Sequence, residues 1–311
     1  SEGTFNAAFV PSYSSLLNKK KQSEKFANNI FNLLVLALFF LVLIIEILMP
    51  LFVFLIAPGF EGDSQKMELA VTLTRITFPF LLFISLASFF SAILNSHNKF
   101  AIASAAPIIL NILLIGVLLF GKILDDQLVY YLSFAVTISG VLQFIFLNIF
   151  VKKYFSFNLK LKIKIDQKVK NFFKKLLPSI FSSGVTQINI LVGTIIASFQ
   201  ASAVSYLYYA DRVYQINLAI AGIAIGTVIL PQLSKYVLNN KKDKINLIQN
   251  KALELSLFLS IPAAIALLTA SEEIISSLFG YGSFLEESVK NSAKALFYFA
   301  VGLPAFSLIK V

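Results

Sequence analysis

Long apolar runs alternate with short polar breaks along the whole chain. After a helical start over residues 1–16 and a lysine-rich break, eight apolar runs follow, at about residues 30–56, 71–94, 102–120, 128–150, 176–199, 204–230, 245–268 and 289–311. A helix of about 20 mainly apolar residues crosses the hydrocarbon core of a bilayer. The pattern therefore predicts an all-α, polytopic membrane protein of nine segments, the first incomplete and the last cut at the end of the chain.

Composition supports a membrane protein and removes several kinds of chemistry. Hydrophobic residues form 58% of the 311 residues and charged residues 14%, with a mean hydropathy of +0.82. An ordinary soluble domain is about 25% charged. The chain has no cysteine, which excludes disulfides and thiolate ligands, and its only histidine is His97. We therefore predict no metal site and no cofactor.

The charges of the polar breaks alternate in sign along the chain. Lysines dominate the breaks at residues 19–25, 99, 152–175 and 235–244, and acids dominate those at 61–68, 125–126 and 272–287. Lysine and arginine are enriched in cytoplasmic loops, so the lysine-rich breaks are predicted to be cytoplasmic. The net charge of +10 is thus a topology signal, and we expect no nucleic-acid partner.

The longest cytoplasmic break, residues 152–175, is basic and amphipathic. Lysines alternate with apolar residues from Lys160 to Ile165, and a helical pattern that includes Val169 and Phe172 follows. A basic amphipathic stretch beside a span typically lies on the anionic inner leaflet. We expect anionic inner-leaflet lipids as partners, with a specific headgroup site as the alternative.

The two halves of the chain carry similar features at a nearly constant spacing. Pro11, which precedes a lysine cluster, matches Pro231, and Pro79 matches Pro304, so the repeat spacing is about 220–225 residues. An even number of spans separates the copies, which therefore run in the same direction, as in transporters with two parallel bundles. We predict an N-terminal bundle, a basic cytoplasmic linker and a C-terminal bundle, with both bundles incomplete, at residues 1–151, 152–175 and 176–311.

Two charged residues lie deep in the run at residues 204–230. Asp211 and Arg212 are about 9–15 Å below its outer end, at 1.5 Å of rise per residue. A charge at this depth should face protein or a wet cavity, because its insertion into lipid costs at least about 2.5 kcal/mol. Arg212 either binds an anionic substrate or forms a structural ion pair with Asp211, although neighbours on a helix do not face each other well. For Asp211 a coupling role and a structural role are both open.

Other residues within the apolar runs have less specific expectations. Glu46 should have a lysine partner or lie near enough to the outer surface to reach water. Arg75 stands at the outer end of its run beside acidic loop residues, which predicts interfacial anchoring. Pro79, Pro107 and Pro304 predict bends within spans.

Five stretches of the chain resemble one family of transporters. They are residues 2–11, 57–60, 75–95, 183–189 and 208–212, which include Glu-Gly-Thr-Phe-Asn, Ala-Pro-Gly-Phe and Tyr-Tyr-Ala-Asp-Arg. Together they are similar to the MurJ (MviN) lipid II flippases, of the multidrug, oligosaccharidyl-lipid and polysaccharide exporter superfamily. The resemblance implies a MurJ-like fold of fourteen helices in two parallel, pseudo-symmetric bundles. This chain would supply about nine of them, from the second to about the tenth.

The resemblance also implies a function and a site. MurJ proteins move lipid II, the undecaprenyl-pyrophosphate-linked peptidoglycan precursor, from the inner to the outer leaflet of the bacterial cytoplasmic membrane by alternating access. They are transporters rather than enzymes, and the expected energy source is the membrane potential or an ion gradient. The residues expected to line the cationic central cavity are Arg212, Asp211, Glu2 and Asn6. Arginine suits a pyrophosphate because its guanidinium keeps its charge and offers several donors.

The chain departs from the family pattern at two positions, and other functions fit its residues less well. Gln215 stands where many relatives carry an acid, and Gly193 where an aspartate is common, so the coupling ion is not predicted. The alternative function is export of another polyprenyl-linked glycan, or multidrug antiport, but such relatives lack the Glu-Gly start and the Tyr-Ala-Asp-Arg run. A lipid-linked transferase would need an acid, base or metal cluster, which the spans do not provide. No span shows the polar filter pattern of a channel.

Overall fold

The described part of the chain is built from helices and the turns between them. The computed structural model describes residues 2–121, 127–158, 166–226 and 242–311 with Val228, Ile229, Leu233 and Tyr236, apart from the side chains at positions 2–4, 7, 175, 179, 182, 183, 185 and 186. Every regular element in these residues is a helix, which confirms the all-α prediction.

Two compact units divide the chain, Ser1–Phe199 and Gln200–Val311. The helices of the first unit are α1 (Glu2–Ser14), α2 (Lys20–Ile47), α3 (Met49–Ile56), α4 (Ser64–Thr77), α5 (Phe80–Ser96), α6 (Phe100–Ala105), α7 (Ile108–Leu119), α8 (Leu128–Val151) and α9 (Gln167–Ser198). Those of the second unit are α10 (Ala203–Leu218), α11 (Lys242–Thr269), α12 (Ser271–Phe279) and α13 (Glu286–Lys310). A π-helical turn, Ala219–Ile223, continues α10.

The observed units differ from the bundles that the repeat predicts. The predicted C-terminal bundle begins at residue 176, whereas the whole of α9 belongs to the first unit. The physical reason is that α9 packs on α1, α2 and α3 in the first unit. The repeat compares sequence features and not contacts, so the bundle boundaries stay predictions.

Six helical stretches of the described residues are long and apolar enough to cross a membrane, and they agree with six of the nine predicted segments. They are Lys20–Ile47, Ser64–Ser96, Phe100–Leu119, Leu128–Val151, Lys242–Thr269 and Glu286–Lys310. The other three segments are also helical but less regular. Helix α1 has 13 residues, the apolar part of α9 is the shorter stretch Gln187–Ser198, and α10 has 16 residues before its π-turn.

Two of the three prolines singled out in the sequence interrupt their spans. Pro79 separates α4 from α5, and Pro107 separates α6 from α7. A proline has no N–H, so a carbonyl one turn earlier loses its helical partner. Beside the first break the Thr137 hydroxyl of α8 donates a hydrogen bond to the carbonyl of Ile76, in the last turn of α4. Pro304, by contrast, lies inside the continuous helix α13.

Buried phenylalanine rings form the core of the first unit at its predicted cytoplasmic end. We call them the inner aromatic cluster; its members are Phe9, Phe26, Phe31, Phe89, Phe90, Phe155 and Phe172. Phe9 is central, with ring centroids 5.0 Å from Phe89 and 5.9 Å from Phe26. Aromatic pairs at such distances contribute about 0.5–1.5 kcal/mol beyond the burial of area. The cluster therefore joins α1, α2, α5, the segment after α8, and α9.

Two asparagines of α2 fix the segment that follows α8. The Asn28 side chain accepts a hydrogen bond from the Asn158 backbone N–H at 2.7 Å and donates to the Ser156 carbonyl at 3.4 Å. Asn32 donates to the Asn158 carbonyl at 3.0 Å. Phe155, which directly precedes these bonded residues, is buried. The start of the predicted linker therefore packs on the other helices of the first unit.

The first turns of α9 bury their apolar side in protein. Asp166 accepts from the Val169 N–H at 3.1 Å and so caps the helix. Val169 and Phe172 are buried, and Phe172 lies 5.8 Å from the Phe5 ring. The sequence predicted that the whole linker lies on the inner leaflet. In its described part the apolar side faces protein instead, because α1 offers an aromatic surface there, and Lys170 stays exposed.

The second unit packs α10, α11 and α13 through small residues. Ala210 of α10, Ser260 of α11 and Ala300 of α13 have no exposed surface. A methyl group added at Gly222, in the π-turn, would lie 3.1 Å from the Cα and the carbonyl oxygen of Ser307 in α13. Small residues allow such close approach of helices in membranes. These contacts fix which side of α10 is left uncovered.

Candidate functional site

Helix α10 has a buried side and an exposed polar side. Ala210 and Val213, 0% and 5% exposed, pack in the core of the second unit. Tyr208, Arg212 and Gln215 are exposed. Residues three or four apart share one side of a helix, so these three form a stripe opposite the buried side, which we call the α10 polar stripe.

Arg212 is the cation of this stripe. It lies nine residues after the start of α10, about 14 Å along the helix. Its guanidinium carbon is 4.5 Å from the centroid of the Tyr208 ring, which is a cation–π contact. The prediction from the sequence missed Tyr208, although an aromatic residue four positions before an arginine is a recognisable signal for this contact.

Asp211 uses a different partner from its neighbour. Its carboxylate accepts a hydrogen bond from the Gln215 side-chain amide, one helical turn later. The ion pairs found in the described ranges are Lys25–Asp166 and Lys290–Glu286, so Asp211 and Arg212 do not pair. The structural ion pair considered from the sequence is therefore not formed. Among the described residues the Arg212 guanidinium has no acid partner, so its N–H donors are available to another group.

The remaining two predicted site residues belong to α1. Glu2 begins this helix, and its side chain is outside the described part of the chain. Asn6, one turn later, is half-buried, and its Oδ1 has no hydrogen-bond partner among the described residues. These two residues belong to the first unit, and Arg212 and Asp211 to the second. Each unit is described by itself, so the grouping of the four residues stays a prediction.

The acid within α2, for which the sequence predicts a lysine partner or a position near the outer surface, has an arginine near it. Arg75 of α4 interacts electrostatically with Glu46. The Glu46 Oε1 is buried and has no hydrogen-bond partner in the part of the chain that the structure describes. Arg75 itself is exposed. Its charge is therefore directed at least partly at an acid of its own unit, which agrees with a structural role for it.

A cavity of about 400 Å³ opens in the second unit, between α12 and the start of α13. Three acids line it, Glu272, Glu273 and Glu286, together with Phe284. Like charges repel at close range, so this cavity does not suit an anionic ligand such as a pyrophosphate. The α10 polar stripe, with its uncompensated arginine, does.

Comparison with known proteins identifies relatives over the whole chain. The family described as "Lipid II flippase MurJ" matches residues 1–311. The probable lipid II flippase MurJ of Rickettsia prowazekii is 38% identical over 100% of this chain and 61% of its own length. That of Rhizobium tropici is 37% identical over 99% of this chain and 59% of its own length. The lipid II flippase MurJ of Burkholderia cenocepacia is 32% identical, with 100% and 61% covered.

A solved structure has a similar fold. It is described as lipid II flippase MurJ in an inward closed conformation, and it matches with a TM-score of 0.83 and 26% identity over 99% of this chain and 64% of that one. The chain thus spans about three fifths of the length of the relatives above. Its relatives are bacterial, and six helical stretches of the described residues are able to span a bilayer, so it is a multi-pass protein of the bacterial cytoplasmic membrane. Match and fold together place the chain in the MurJ lipid II flippase family.

Proposed function

We propose that this protein is a lipid II flippase, which moves the undecaprenyl-pyrophosphate-linked peptidoglycan precursor from the inner to the outer leaflet by alternating access. The substrate is then a lipid with a pyrophosphate headgroup, and the protein moves it without chemical change, so it is not an enzyme. The free energy for transport comes from the membrane potential or an ion gradient. Family membership over residues 1–311 supports the class of function.

One observation supports the role of this chain in that function: the uncompensated charge of Arg212. A pyrophosphate that leaves water needs a fixed positive group, and the guanidinium offers several donors that suit phosphate oxygens. Arg212 is exposed on the α10 polar stripe and contacts an aromatic ring instead of an acid. An arginine so deep in an apolar span is otherwise unfavourable by at least about 2.5 kcal/mol. Binding of an anionic headgroup accounts for its presence.

We also propose that the exposed lysines of α9 attract anionic lipids of the inner leaflet. Lys170 and Lys174 project from the side of the helix that the inner aromatic cluster does not bury. Each lysine near such a surface is worth about 1 kcal/mol. Neighbouring charges are engaged in the protein, since Lys168 donates to Gln22 at 2.6 Å. The attraction would therefore orient α9 without insertion of its apolar side.

Complementation tests the proposed function. The full-length gene is expressed in a bacterium depleted of its own lipid II flippase, alongside Arg212→Ala and the matched arginine control Arg75→Ala. We expect growth from the wild type and from Arg75→Ala, and loss of growth from Arg212→Ala. Immunoblots of the membrane fraction establish equal expression. Normal growth of Arg212→Ala at equal expression would contradict the proposed role of this residue.

Lipid II accessibility separates the flippase from its relatives. An externally added probe labels lipid II only in the outer leaflet of spheroplasts. On depletion of the protein we expect lipid II to accumulate in the inner leaflet and to lose labelling. Unchanged labelling, with defects in another cell-surface glycan, would instead indicate an exporter of a different polyprenyl-linked substrate.

A further inference from the structure

We propose that Tyr208 is a positioning residue for Arg212: its ring holds the guanidinium in the orientation that binds the pyrophosphate group of a polyprenyl-linked substrate. The inference rests on the proposed function and deepens it, because it adds to the site a residue that carries no charge. The tyrosine would orient the arginine before the ligand binds.

The geometry of α10 places the two side chains one turn apart on the same exposed side. Tyr208 precedes Arg212 by four residues, and the guanidinium carbon lies 4.5 Å from the ring centroid. In a helix, long side chains point back towards the preceding turn, which brings the arginine over the tyrosine. A free arginine side chain samples many rotamers, and ordering it on binding costs conformational entropy. A contact that already restricts the rotamers in the free protein lowers this cost and so improves affinity for the ligand.

The ring orients the guanidinium without neutralising it. A carboxylate in the same place would also fix the arginine, but it would occupy the N–H donors and cancel the charge that the substrate needs. The nearest acid along the helix, Asp211, is engaged by Gln215. Within the described ranges no hydrogen bond or ion pair engages the Arg212 guanidinium. The aromatic face therefore leaves charge and donors available to an anion.

A purely structural role for Tyr208 makes a different prediction. Tyrosines are enriched at membrane interfaces, and Tyr208 lies five residues after the start of α10, with its ring 6.1 Å from that of Tyr209. An interfacial anchor would stabilise α10 whether or not Arg212 is present. A positioning residue changes ligand affinity only through the arginine. The two roles differ in a double-mutant cycle.

The experiment measures binding of farnesyl pyrophosphate to the full-length protein in lipid nanodiscs. The variants are Tyr208→Leu, Tyr208→Phe, Arg212→Ala and the double variant Tyr208→Leu/Arg212→Ala. We expect Tyr208→Leu to raise Kd about fivefold, which matches the loss of one cation–π contact at an exposed site. Tyr208→Phe keeps the ring and should remain within about twofold of the wild type. In the Arg212→Ala background, Tyr208→Leu should change nothing further.

The control is Tyr298→Leu, which removes an exposed tyrosine of α13 in the same unit. We expect it to leave Kd unchanged. If Arg212→Ala binds like the wild type, the proposed function of the arginine fails. If Arg212→Ala loses binding but Tyr208→Leu does not, or if the two effects add in the double variant, only the positioning role is overturned. Should Tyr208→Leu fail to fold, Tyr208→Met replaces it under the same criteria.

Discussion

The cores of the two units differ in the side chains that stand out within each: large aromatic rings in the first, and fully buried small residues at several helix contacts in the second. In the first unit, large rings from five parts of the chain meet in the inner aromatic cluster. In the second, fully buried small residues such as Ser256, Ala300 and Ser307 let three helices approach closely. A ring removed from the first unit leaves a cavity, whereas a methyl group added to the second has no room. The inner aromatic cluster should therefore be sensitive to loss of volume, and the contact between the π-turn and α13 to added volume.

The difference bears on the candidate functional site, because Arg212 lies on α10, whose buried side packs in the core of the second unit. Close contact leaves little freedom for α10 to turn about its axis, and sites on packed helices are held more precisely than sites on loops. The buried side, with Ala210 and Val213, thereby determines that the α10 polar stripe stays uncovered. The rings of the first unit instead pack α9 and the segment after α8 against α1, α2 and α5.

The largest expected effect is loss of a ring from the first unit. Phe9→Ala removes a side chain with 0% exposure that contacts the rings of Phe26, Phe89 and Phe172. Phenylalanine-to-alanine changes in well-packed cores cost about 3–5 kcal/mol. Thermal unfolding of the full-length protein in detergent should show a large fall in Tm. The matched control is Phe258→Ala, which removes a ring of α11 that is 73% exposed, and its Tm should change little. Equal shifts for both would contradict the assignment of the cluster as a core.

An intermediate effect is expected from one added methyl group in the second unit. Gly222→Ala would bring its Cβ to 3.1 Å from the Ser307 backbone, so α10 and α13 must separate slightly. Overpacking of this kind costs about 1–3 kcal/mol. Gly116→Ala is the control, since nothing lies within 4 Å of the added atom. In a helix that change is stabilising by about 0.5–1 kcal/mol. Opposite signs of the two Tm shifts would support the close approach, and equal signs would contradict it.

Part of the fold could be predicted from the sequence, but not all of it. The six long spans were predictable because about 20 apolar residues in a row have few alternatives to a membrane helix. Arg212 is exposed on α10, and the expectation that this deep charge faces protein or a wet cavity stays a prediction. The π-turn Ala219–Ile223 was not predictable, since it continues a uniformly apolar run. Its place depends on contacts with α11 and α13, which sequence periodicity does not report.

Partner choices were the least predictable feature of the charged residues. One alternative from the sequence was an ion pair between Asp211 and Arg212. In the structure Gln215 donates to Asp211, and Tyr208 contacts the arginine. Both observed pairs are four residues apart, and the rejected pair is adjacent, so helix geometry decided between them. The sequence around Val169 indicated an amphipathic helix, but it did not indicate which surface would cover the apolar side of that helix. That depended on α1, more than 150 residues earlier in the chain.

The smallest expected effect is a dependence on pH that acts on the first unit alone. His97 follows α5, and its ring stacks on that of Tyr154, with centroids 4.3 Å apart. Burial lowers the pKa of His97 below its usual value of 6.5. Between the two pKa values the unfolded chain binds more protons than the folded protein, so folding stability falls as the pH is lowered through about 6.5. It is the only histidine of the sequence.

Replacement of that ring isolates the effect. His97→Phe keeps an aromatic ring against Tyr154 and has no proton to bind, so the fall in Tm between pH 7.5 and pH 5.5 should be smaller in the variant than in the wild type. The difference between the two proteins is the quantity to measure, because acids elsewhere contribute equally to both. A protonated ring on a tyrosine would gain a cation–π attraction, which opposes the effect of burial. If the wild type were instead the less acid-sensitive of the two, that attraction would exceed the desolvation of His97, and the stack would favour the charged form.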